Sequence, residues 1–271
     1  MDKCDIIILA GQSNARGQGL GEVTEEYVPD ERILFMKDDA NPKFARIDGI
    51  VQLVMKWPAV NSVEIADERV VNDAKVGCFA LQFAKKYADT FLEEGRKVLI
   101  VDANFGGTGF ARPEWGVGNC MHTRLLSMTR EALSYNPENR IVAILWSQGE
   151  HDSFENADWD PEKRYITHKK NLTATFADFY QQLDCAGVPV IACGFTDTYY
   201  ETASVACDAV LAAIRECIAD IGGSYVDTKG LLSNAQKVGS KDIYHVCRES
   251  LHILGGKFFD AYAEIRKARQ K

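Results

Sequence analysis

The chain has 271 residues, and its 31 Lys and Arg against 39 Asp and Glu give a formal net charge of −8 at pH 7. Hydrophobic residues make up 46% and charged residues 26% of the chain, a globular composition that excludes a disordered or low-complexity protein. The acidic balance disfavours nucleic acid and other polyanions as partners, and the lack of an apolar run near ~18 residues predicts no membrane span.

Cysteine usage and the first residues bear on the cellular compartment. None of the eight Cys belongs to a C-x-x-C pair, and most of them lie within apolar runs, which favours reduced, buried thiols over a disulfide framework. The N-terminus carries acids where a signal peptide needs bases, and the apolar stretch that follows spans only 6–10. We therefore expect a cytoplasmic protein.

Apolar runs alternate with helical patterns along almost the whole chain. In chain order, the patterns predict strands at 5–10, 33–36, 97–102, 141–146, 188–193 and 224–227. They predict helices at 77–92, 121–134, 161–183, 205–219 and 256–268. This alternation indicates an α/β fold, a three-layer α/β/α domain with a mainly parallel, flavodoxin-like sheet. We expect one domain over 1–271, with an irregular insertion at about 38–76.

Ligands of such sheets bind outside the carboxyl ends of the strands, so the residues after each strand are the candidates for a site. The first strand ends in GQSN at 11–14, where Ser13 is either an exposed nucleophile or a helix N-cap. The segment 104–109 is rich in Gly, which lets backbone N–H groups approach an anion. It does not match the G-x-G-x-x-G pattern of a dinucleotide loop.

Two further segments carry polar side chains. QGEHD at 148–152 is either a capped turn or a set of metal ligands, but H-E-x-x-H is absent and we predict no metal. Near the C-terminus, Glu249 precedes His252 by three residues, a spacing at which a carboxylate can orient an imidazole. Asp242 and His245 form a second pair with the same spacing, and the sequence alone hardly separates the two pairs.

Four blocks together resemble the SGNH hydrolase superfamily: GQSN at 11–14, FGGTG at 105–109, QGEHD at 148–152 and ESLH at 249–252. The nearest likeness is the carbohydrate acetylesterase branch, with sialic-acid-specific acetylesterase-like proteins and acetyl xylan esterases of carbohydrate esterase family six. The resemblance implies a serine esterase that hydrolyses O-acetyl esters of carbohydrates through an acyl-enzyme. It implies no metal and no organic cofactor.

The resemblance also implies roles for individual residues. Ser13 is the expected nucleophile, His252 the general base, and Glu249 the orienting acid where the family usually has the Asp of D-x-x-H. The expected oxyanion hole combines the backbone N–H groups of Ser13 and Gly107 with the side-chain amide of Gln148. Three residues are expected to support the site: Asn14, Glu150 and Asp152.

Two residues are candidate substrate contacts. Trp115 stacks on a sugar ring if it is exposed and belongs to the core if it is buried, and Arg16 meets either an acidic sugar or a surface carboxylate. The expected substrate is a small acetylated carbohydrate, such as an acetylated xylo-oligosaccharide or acetylated sialic acid. The alternatives are a non-catalytic sugar-binding relative, a short-chain acyl esterase or acyltransferase on other substrates, and a nucleotide-binding oxidoreductase.

Overall fold

A computed structural model describes residues 2–270 of the chain. Its strands are β1 Lys3–Gly11, β2 Ile33–Asp38, β3 Lys43–Ile47, β4 Ile50–Val54, β5 Asn61–Ile65, β6 Arg69–Val71, β7 Ala74–Val76, β8 Arg96–Asn104, β9 Arg140–Ser147, β10 Val190–Cys193 and β11 Ser224–Val226. Seven of them form one sheet in the order β11-β10-β9-β1-β8-β2-β5. Neighbouring strands of this sheet run parallel, except that β5 is antiparallel to β2.

The helices lie on both faces of this sheet. They are α1 Ser13–Arg16, α2 Phe79–Thr90, α3 Cys120–Ser134, α4 Glu150–Phe154, α5 Pro161–Gln182, α6 Asp197–Thr202, α7 Ser204–Asp220, α8 Asn234–Val238 and α9 Arg248–Ala268. The predicted α/β fold class is therefore confirmed. Within residues 2–270, no helix is both long enough and apolar enough to span a bilayer.

The sheet has a hydrophobic core on each face, and the central strand β1 contributes side chains to both. Ile6 and Ile8 pack into the core beneath α3, α5 and α7, whereas Ile7 and Leu9 pack into the core beneath α2 and α9. Successive side chains of a strand point to opposite faces, so a strand covered on both sides must be apolar at every position. Burial of each such side chain stabilises the fold by roughly 1.5–3 kcal/mol.

Asp5 is the fully buried ionised residue of β1. It accepts hydrogen bonds from Arg96 Nε at 2.9 Å, Tyr87 Oη at 2.7 Å and Arg140 Nε at 2.7 Å. Burial would raise the pKa of Asp5, but the bonds from Arg140 and Tyr87 lower it below its ordinary value. The carboxylate thus joins β1 to both neighbouring strands and to α2.

The stretch 38–76 is more regular than the sequence pattern predicts. It contains the hairpin β3–β4, the edge strand β5 and the hairpin β6–β7. The β3–β4 turn places Asp48 at φ +50° and Gly49 at φ +82°, the left-handed geometry that matches the twist of a two-residue hairpin. These strands are short and half exposed, so they lack the apolar runs that reveal the buried strands.

The last helix begins two turns earlier than predicted. Gly255, which directly precedes the predicted helix, lies inside α9. A Cβ on Gly255 would lie 2.3 Å from the carbonyl oxygen of Phe79. The glycine therefore lets α9 pack closely against α2, and residues 249–252 are helical.

Candidate active site

A pocket of about 450 Å³ lies at the carboxyl ends of the central strands. Ser13, Gly107, Glu150 and His245 are among the residues of its wall. The first three follow β1, β8 and β9, respectively, and the fourth comes from the loop between α8 and α9. This is the edge at which ligands of parallel sheets bind.

Ser13 is positioned by a glycine at the end of β1. Gly11 has φ +131°, and a Cβ at this position would lie 2.0 Å from the carbonyl oxygen of Ser147 on β9. Gln12 N donates to that same oxygen at 2.8 Å, so the chain turns tightly over β9. Ser13 then opens α1 and lines the pocket.

His245 is held by a neighbouring carboxylate. Its Nδ1 lies 2.7 Å from Asp242 Oδ2, which also accepts a bond of 2.9 Å from Asn234 Nδ2. Because an ionised carboxylate only accepts hydrogen bonds, Nδ1 carries the proton and Nε2 is left as an acceptor. Burial alone would raise the pKa of Asp242, but the bonds from His245 and Asn234 lower it to about 2.

Asn14 links the segment that contains Ser13 to the loop that contains His245. Its Nδ2 donates to Tyr244 O at 3.1 Å and to Glu150 Oε1 at 2.7 Å. Its Oδ1 accepts from Val246 N at 3.0 Å. Asn14, which follows Ser13, is therefore hydrogen-bonded to both Tyr244 and Val246, the two neighbours of His245 in the chain. The support role predicted for Asn14 and Glu150 fits this arrangement, and burial raises the pKa of the Glu150 carboxyl.

The structure does not bring Glu249 and His252 to Ser13, and this prediction is corrected. His252 Nε2 lies 2.7 Å from Glu68 Oε1, and Glu249 Oε2 accepts from Thr24 N at 2.7 Å. Neither residue belongs to the pocket wall. The physical reason is that both stand in the first turns of α9 and face the segment that precedes α2.

The sequence contains a signal for the pair of Asp242 and His245. The segment DIYH at 242–245 is itself a D-x-x-H pattern, whereas ESLH at 249–252 has Glu in place of the Asp. The structure favours this second pair because it alone shares the pocket wall with Ser13, through His245.

The predicted oxyanion donors separate into two groups. Ser13 and Gly107 both reach the pocket, and neither backbone N–H has an acceptor within residues 2–270. The amide of Gln148 is instead committed elsewhere, because Nε2 donates to Asp152 Oδ2 at 2.8 Å and to Thr108 O at 3.3 Å. Gln148 is not part of the pocket wall, so its predicted place in the oxyanion hole is corrected.

Gln12 is a pocket residue that the sequence reasoning missed. Its Oε1 accepts from Gly149 N and His151 N, both at 3.4 Å. These bonds fix the amide, and in the described part of the chain Nε2 has no acceptor of its own. The signal was present, since Gln12 stands in the GQSN block.

Several hydrogen bonds hold Asp152 in place, which fits the predicted role of this residue in supporting the site. It accepts from Phe110 N at 2.8 Å and Ala111 N at 2.7 Å, and lies 3.0 Å from His168 Nδ1. Burial would raise the pKa of Asp152, but the hydrogen bond from His168 lowers it. The carboxylate thus ties α4 to the loop after β8.

Of the two candidate substrate contacts, Trp115 and Arg16, only Arg16 lines the pocket. Trp115 has zero exposure, packs against Trp146 with ring centroids 5.0 Å apart, and donates from Nε1 to Thr108 Oγ1 at 3.0 Å. It is a core residue, and the prediction that it stacks on a sugar is corrected. Arg16 does line the pocket, with its guanidinium 5.4 Å from the centre of the Phe105 ring.

The hairpin β3–β4 contributes one aromatic residue that the sequence did not indicate. Phe44 lines the pocket, and its ring centroid lies 5.9 Å from that of Phe105. Within residues 2–270, no cluster of three or more His, Cys, Asp or Glu side chains is arranged to hold a metal ion.

The chain is similar to several known proteins. A curated relative from Escherichia coli K12, "Probable 9-O-acetyl-N-acetylneuraminic acid deacetylase", is 25% identical over 224 residues, covering 72% of this chain and 68% of the relative. The crystal structure of NanS superposes with a TM-score of 0.74 at 19% identity and covers 98% of both chains. A carbohydrate acetylesterase from Xanthomonas citri gives a TM-score of 0.63 at 12% identity, over 97% of this chain and 56% of that one.

The solved structures share the fold, and the family assignment comes from a sequence model. That model, described as "Carbohydrate esterase, sialic acid-specific acetylesterase", matches residues 3–264. The match spans nearly the whole chain and includes every residue of the pocket described above. The chain therefore belongs to the sialic acid-specific acetylesterase family of carbohydrate esterases and is an ester hydrolase of this class.

Proposed function

We propose that Ser13, His245 and Asp242 form the catalytic triad of an esterase that removes acetyl groups from carbohydrates. The observation that carries the proposal is the pocket shared by Ser13 and His245, with Asp242 Oδ2 2.7 Å from the imidazole Nδ1. The pocket thus offers a hydroxyl nucleophile and an imidazole base, and Asp242 supplies the acid that orients the base, the three groups of a serine esterase.

The reaction follows from these groups. Ser13 Oγ attacks the acetyl carbonyl carbon while His245 Nε2 takes the hydroxyl proton. The tetrahedral intermediate then expels the sugar oxygen, which receives that proton, and acetyl-Ser13 remains. Water, deprotonated by the same Nε2, attacks the acetyl group, and acetate leaves as Ser13 regains its proton.

We propose that three donors stabilise the oxyanion: the backbone N–H groups of Ser13 and Gly107 and the side-chain Nε2 of Gln12. All three residues line the pocket. Each such donor is worth about 3 kcal/mol of activation free energy in serine hydrolases. Gln12 takes the place that the resemblance gave to Gln148.

The substrate is proposed to be a small O-acetylated carbohydrate. The candidates are acetylated xylo-oligosaccharides and acetylated sialic acid, and the name of the Escherichia coli relative supports the second. A preference for the butyrate in the assay below would favour an acyl esterase on other substrates, and turnover of neither ester would favour a sugar-binding protein without activity.

The assay compares 4-nitrophenyl acetate with 4-nitrophenyl butyrate. We expect the native enzyme to prefer acetate, and Ser13→Ala and His245→Ala to lose nearly all turnover, since the members of a triad act as a unit. His252→Ala is the matched control, because it removes an imidazole that contacts Glu68 outside the pocket. Thermal melts establish that each variant is folded.

Two outcomes would contradict the proposal. Loss of turnover in folded His252→Ala with retention in His245→Ala would restore Glu249 and His252 as the catalytic pair. A folded native protein that hydrolyses neither ester nor an acetylated sugar would indicate a binding protein instead.

A further inference from the structure

Two adjacent glycines leave the direction of one proposed oxyanion donor open to local rotation. The backbone N–H of Gly107 belongs to the peptide that joins Gly106 to Gly107, and Gly107 has φ +71°. Because glycine adopts both signs of φ, a peptide between two glycines can rotate at little steric cost. The loop lies against Ser13, since a Cβ on Gly106 would lie 3.4 Å from Ser13 Cβ. Preorganisation of this N–H therefore requires a contact from elsewhere in the structure.

Arg112 makes such a contact. Its Nη2 donates to the carbonyl oxygen of Gly107 at 2.7 Å. The same guanidinium donates from Nε to Glu114 Oε1 at 3.0 Å. The other carboxylate oxygen of Glu114 accepts from Gly109 N, also at 3.0 Å. The Arg112–Glu114 pair thus holds the loop at Gly107 and again at Gly109, and a planar guanidinium bonded to two acceptors has little freedom to move.

The Arg112–Glu114 pair is largely shielded from water. The side chain of Glu114 is 6% exposed and that of Arg112 is 21% exposed. The ring of Phe44 covers the guanidinium, with its centre 4.6 Å from Cζ. Charge-assisted hydrogen bonds are stronger where water is excluded. Gly107 and Glu114 both belong to the loop after β8, so these hydrogen bonds do not require the hairpin β3–β4.

Arg112 itself does not line the pocket of Ser13. It lies on the wall of a separate cavity of about 600 Å³, which residues of β4 also line. Gly107, in contrast, does line the pocket of Ser13. An effect of Arg112 on an ester bound at Ser13 therefore passes through Gly107.

We propose that Arg112 is a positioning residue for the oxyanion hole and acts on the reaction through the peptide between Gly106 and Gly107. Its hydrogen bond to the Gly107 carbonyl restricts rotation at this glycine and so keeps the N–H directed at the developing oxyanion. The inference rests on the proposed function, which gives this N–H its role. A guanidinium that bound substrate directly would instead change KM.

Steady-state kinetics of Arg112→Met with 4-nitrophenyl acetate test this role, because Met keeps an unbranched stem and removes every donor. We expect kcat to fall about 10–10²-fold with KM within about twofold of the native value, since complete loss of an oxyanion donor costs about 10²–10³-fold. Arg112→Lys replaces the planar fork by a single ammonium and should show a smaller fall in kcat. It takes the place of Arg112→Met if thermal melts show that the Met variant is unfolded.

Arg46→Met is the matched control. Arg46 Nη1 also donates to the carbonyl oxygen of a glycine with positive φ, Gly49, at 2.7 Å. Neither residue lines the pocket of Ser13. This variant should keep the native kcat and KM.

Inhibition by trifluoroacetone reports on the oxyanion hole. Ser13 Oγ adds to the ketone carbon, the hydroxyl proton passes to His245 Nε2, and the ketone oxygen becomes the oxyanion of a tetrahedral adduct. Such an adduct resembles the transition state for ester hydrolysis. Its inhibition constant should therefore rise in Arg112→Met by about the factor by which kcat falls.

Three results would overturn the inference while the triad stands: a native kcat in folded Arg112→Met, a rise in KM without a fall in kcat, or an unchanged inhibition constant for trifluoroacetone. Full activity in Ser13→Ala or His245→Ala would overturn the proposed function, and with it the catalytic effect of Arg112. Amide hydrogen exchange of the segment 105–109 tests the hold on the loop without catalysis. It should be faster in Arg112→Met, and unchanged exchange would overturn the inference whatever the triad does.

Discussion

At the scale of single residues, Asn14 holds the proposed machinery together. Its amide contacts Tyr244 O, Val246 N and Glu150 Oε1, so one side chain fixes the position of His245 relative to Ser13. Such bracing matters because a misplacement of about 1 Å in a reacting group can cost about 10²-fold in rate. The buried Glu150 thereby acts on the histidine loop without touching the imidazole.

Gln12→Ala should turn over the aryl acetate about 10²–10³-fold more slowly than the native enzyme, with little change in KM, because an oxyanion donor acts mainly in the transition state. Steady-state kinetics separate the turnover rate from KM. Gln18→Ala is the control, since Gln18 also lines the pocket and has no assigned role. A similar loss of turnover in the two variants would remove Gln12 from the oxyanion hole.

The low pKa of Asp242 makes the fold sensitive to acid. Its folded-state value of about 2 lies below the ordinary 3.8, so its contribution to stability is fully present above pH ~4 and is lost as the pH falls through about 2. The shift corresponds to about 2 kcal/mol. Between pH 5 and pH 2 the native protein should lose that much more unfolding free energy than Asp242→Asn.

Urea unfolding at several pH values measures this difference, and carboxyl groups common to both proteins cancel in it. An identical pH dependence in the two proteins would show that His245 and Asn234 do not stabilise the Asp242 carboxylate.

Much of the site could be predicted from the sequence, because residues that follow buried strands must meet at one edge of the sheet. Ser13, Gly107 and Glu150 were found in this way and lie on one pocket wall. The histidine was not, because two carboxylate–histidine pairs have equal spacing. In the structure, Asp242 and His245 lie in the loop before α9, whereas Glu249 and His252 lie inside this helix. The distinction depends on the start of α9 at Arg248, which the sequence pattern did not predict.

At the scale of elements, long buried strands were predictable and short exposed ones were not. The short apolar run that follows Asp5 predicts a strand with both faces covered, and β1 spans this run. The hairpin β3–β4 alternates weakly, and no apolar run marks it. The start of α9 was obscured by Gly255, which serves close packing rather than helix termination.

The two glycines of α9 provide a matched pair of substitutions. Gly255→Ala places a methyl group 2.3 Å from Phe79 O, whereas in Gly256→Ala the methyl group lies 3.5 Å from Lys86 Cε, an ordinary contact. We expect Gly255→Ala to lower the unfolding free energy by about 1–3 kcal/mol through overpacking. Gly256→Ala should raise it by up to about 1 kcal/mol through helix propensity.

Urea denaturation of the two variants measures both effects. If both alanines stabilise the protein equally, the close contact between α9 and α2 does not exist in solution.

At the scale of the whole molecule, Asp5 connects the centre of the sheet to its neighbours. Removing it leaves Arg96, whose side chain is 7% exposed, without its carboxylate. We expect Asp5→Ala to cost about 3–5 kcal/mol of unfolding free energy, the usual effect of breaking a buried ion pair. The measurement is urea or thermal unfolding.

Glu93→Ala is the control for Asp5→Ala. Glu93 pairs at 2.8 Å with the same Arg140, but at the surface. Its loss should cost less than about 1 kcal/mol. Equal losses in the two variants would mean that burial adds nothing to the Asp5 network.

The hairpin β3–β4 reaches the pocket of Ser13 through a single side chain, Phe44. The proposed nucleophile, oxyanion donors and histidine base all belong to segments at the carboxyl ends of the strands of the central sheet. Substrate preference can therefore change by exchange of this hairpin, in length or sequence, while the bond-breaking groups keep their geometry. The insertion gives the enzyme a part that evolution or an engineer can vary independently of the chemistry.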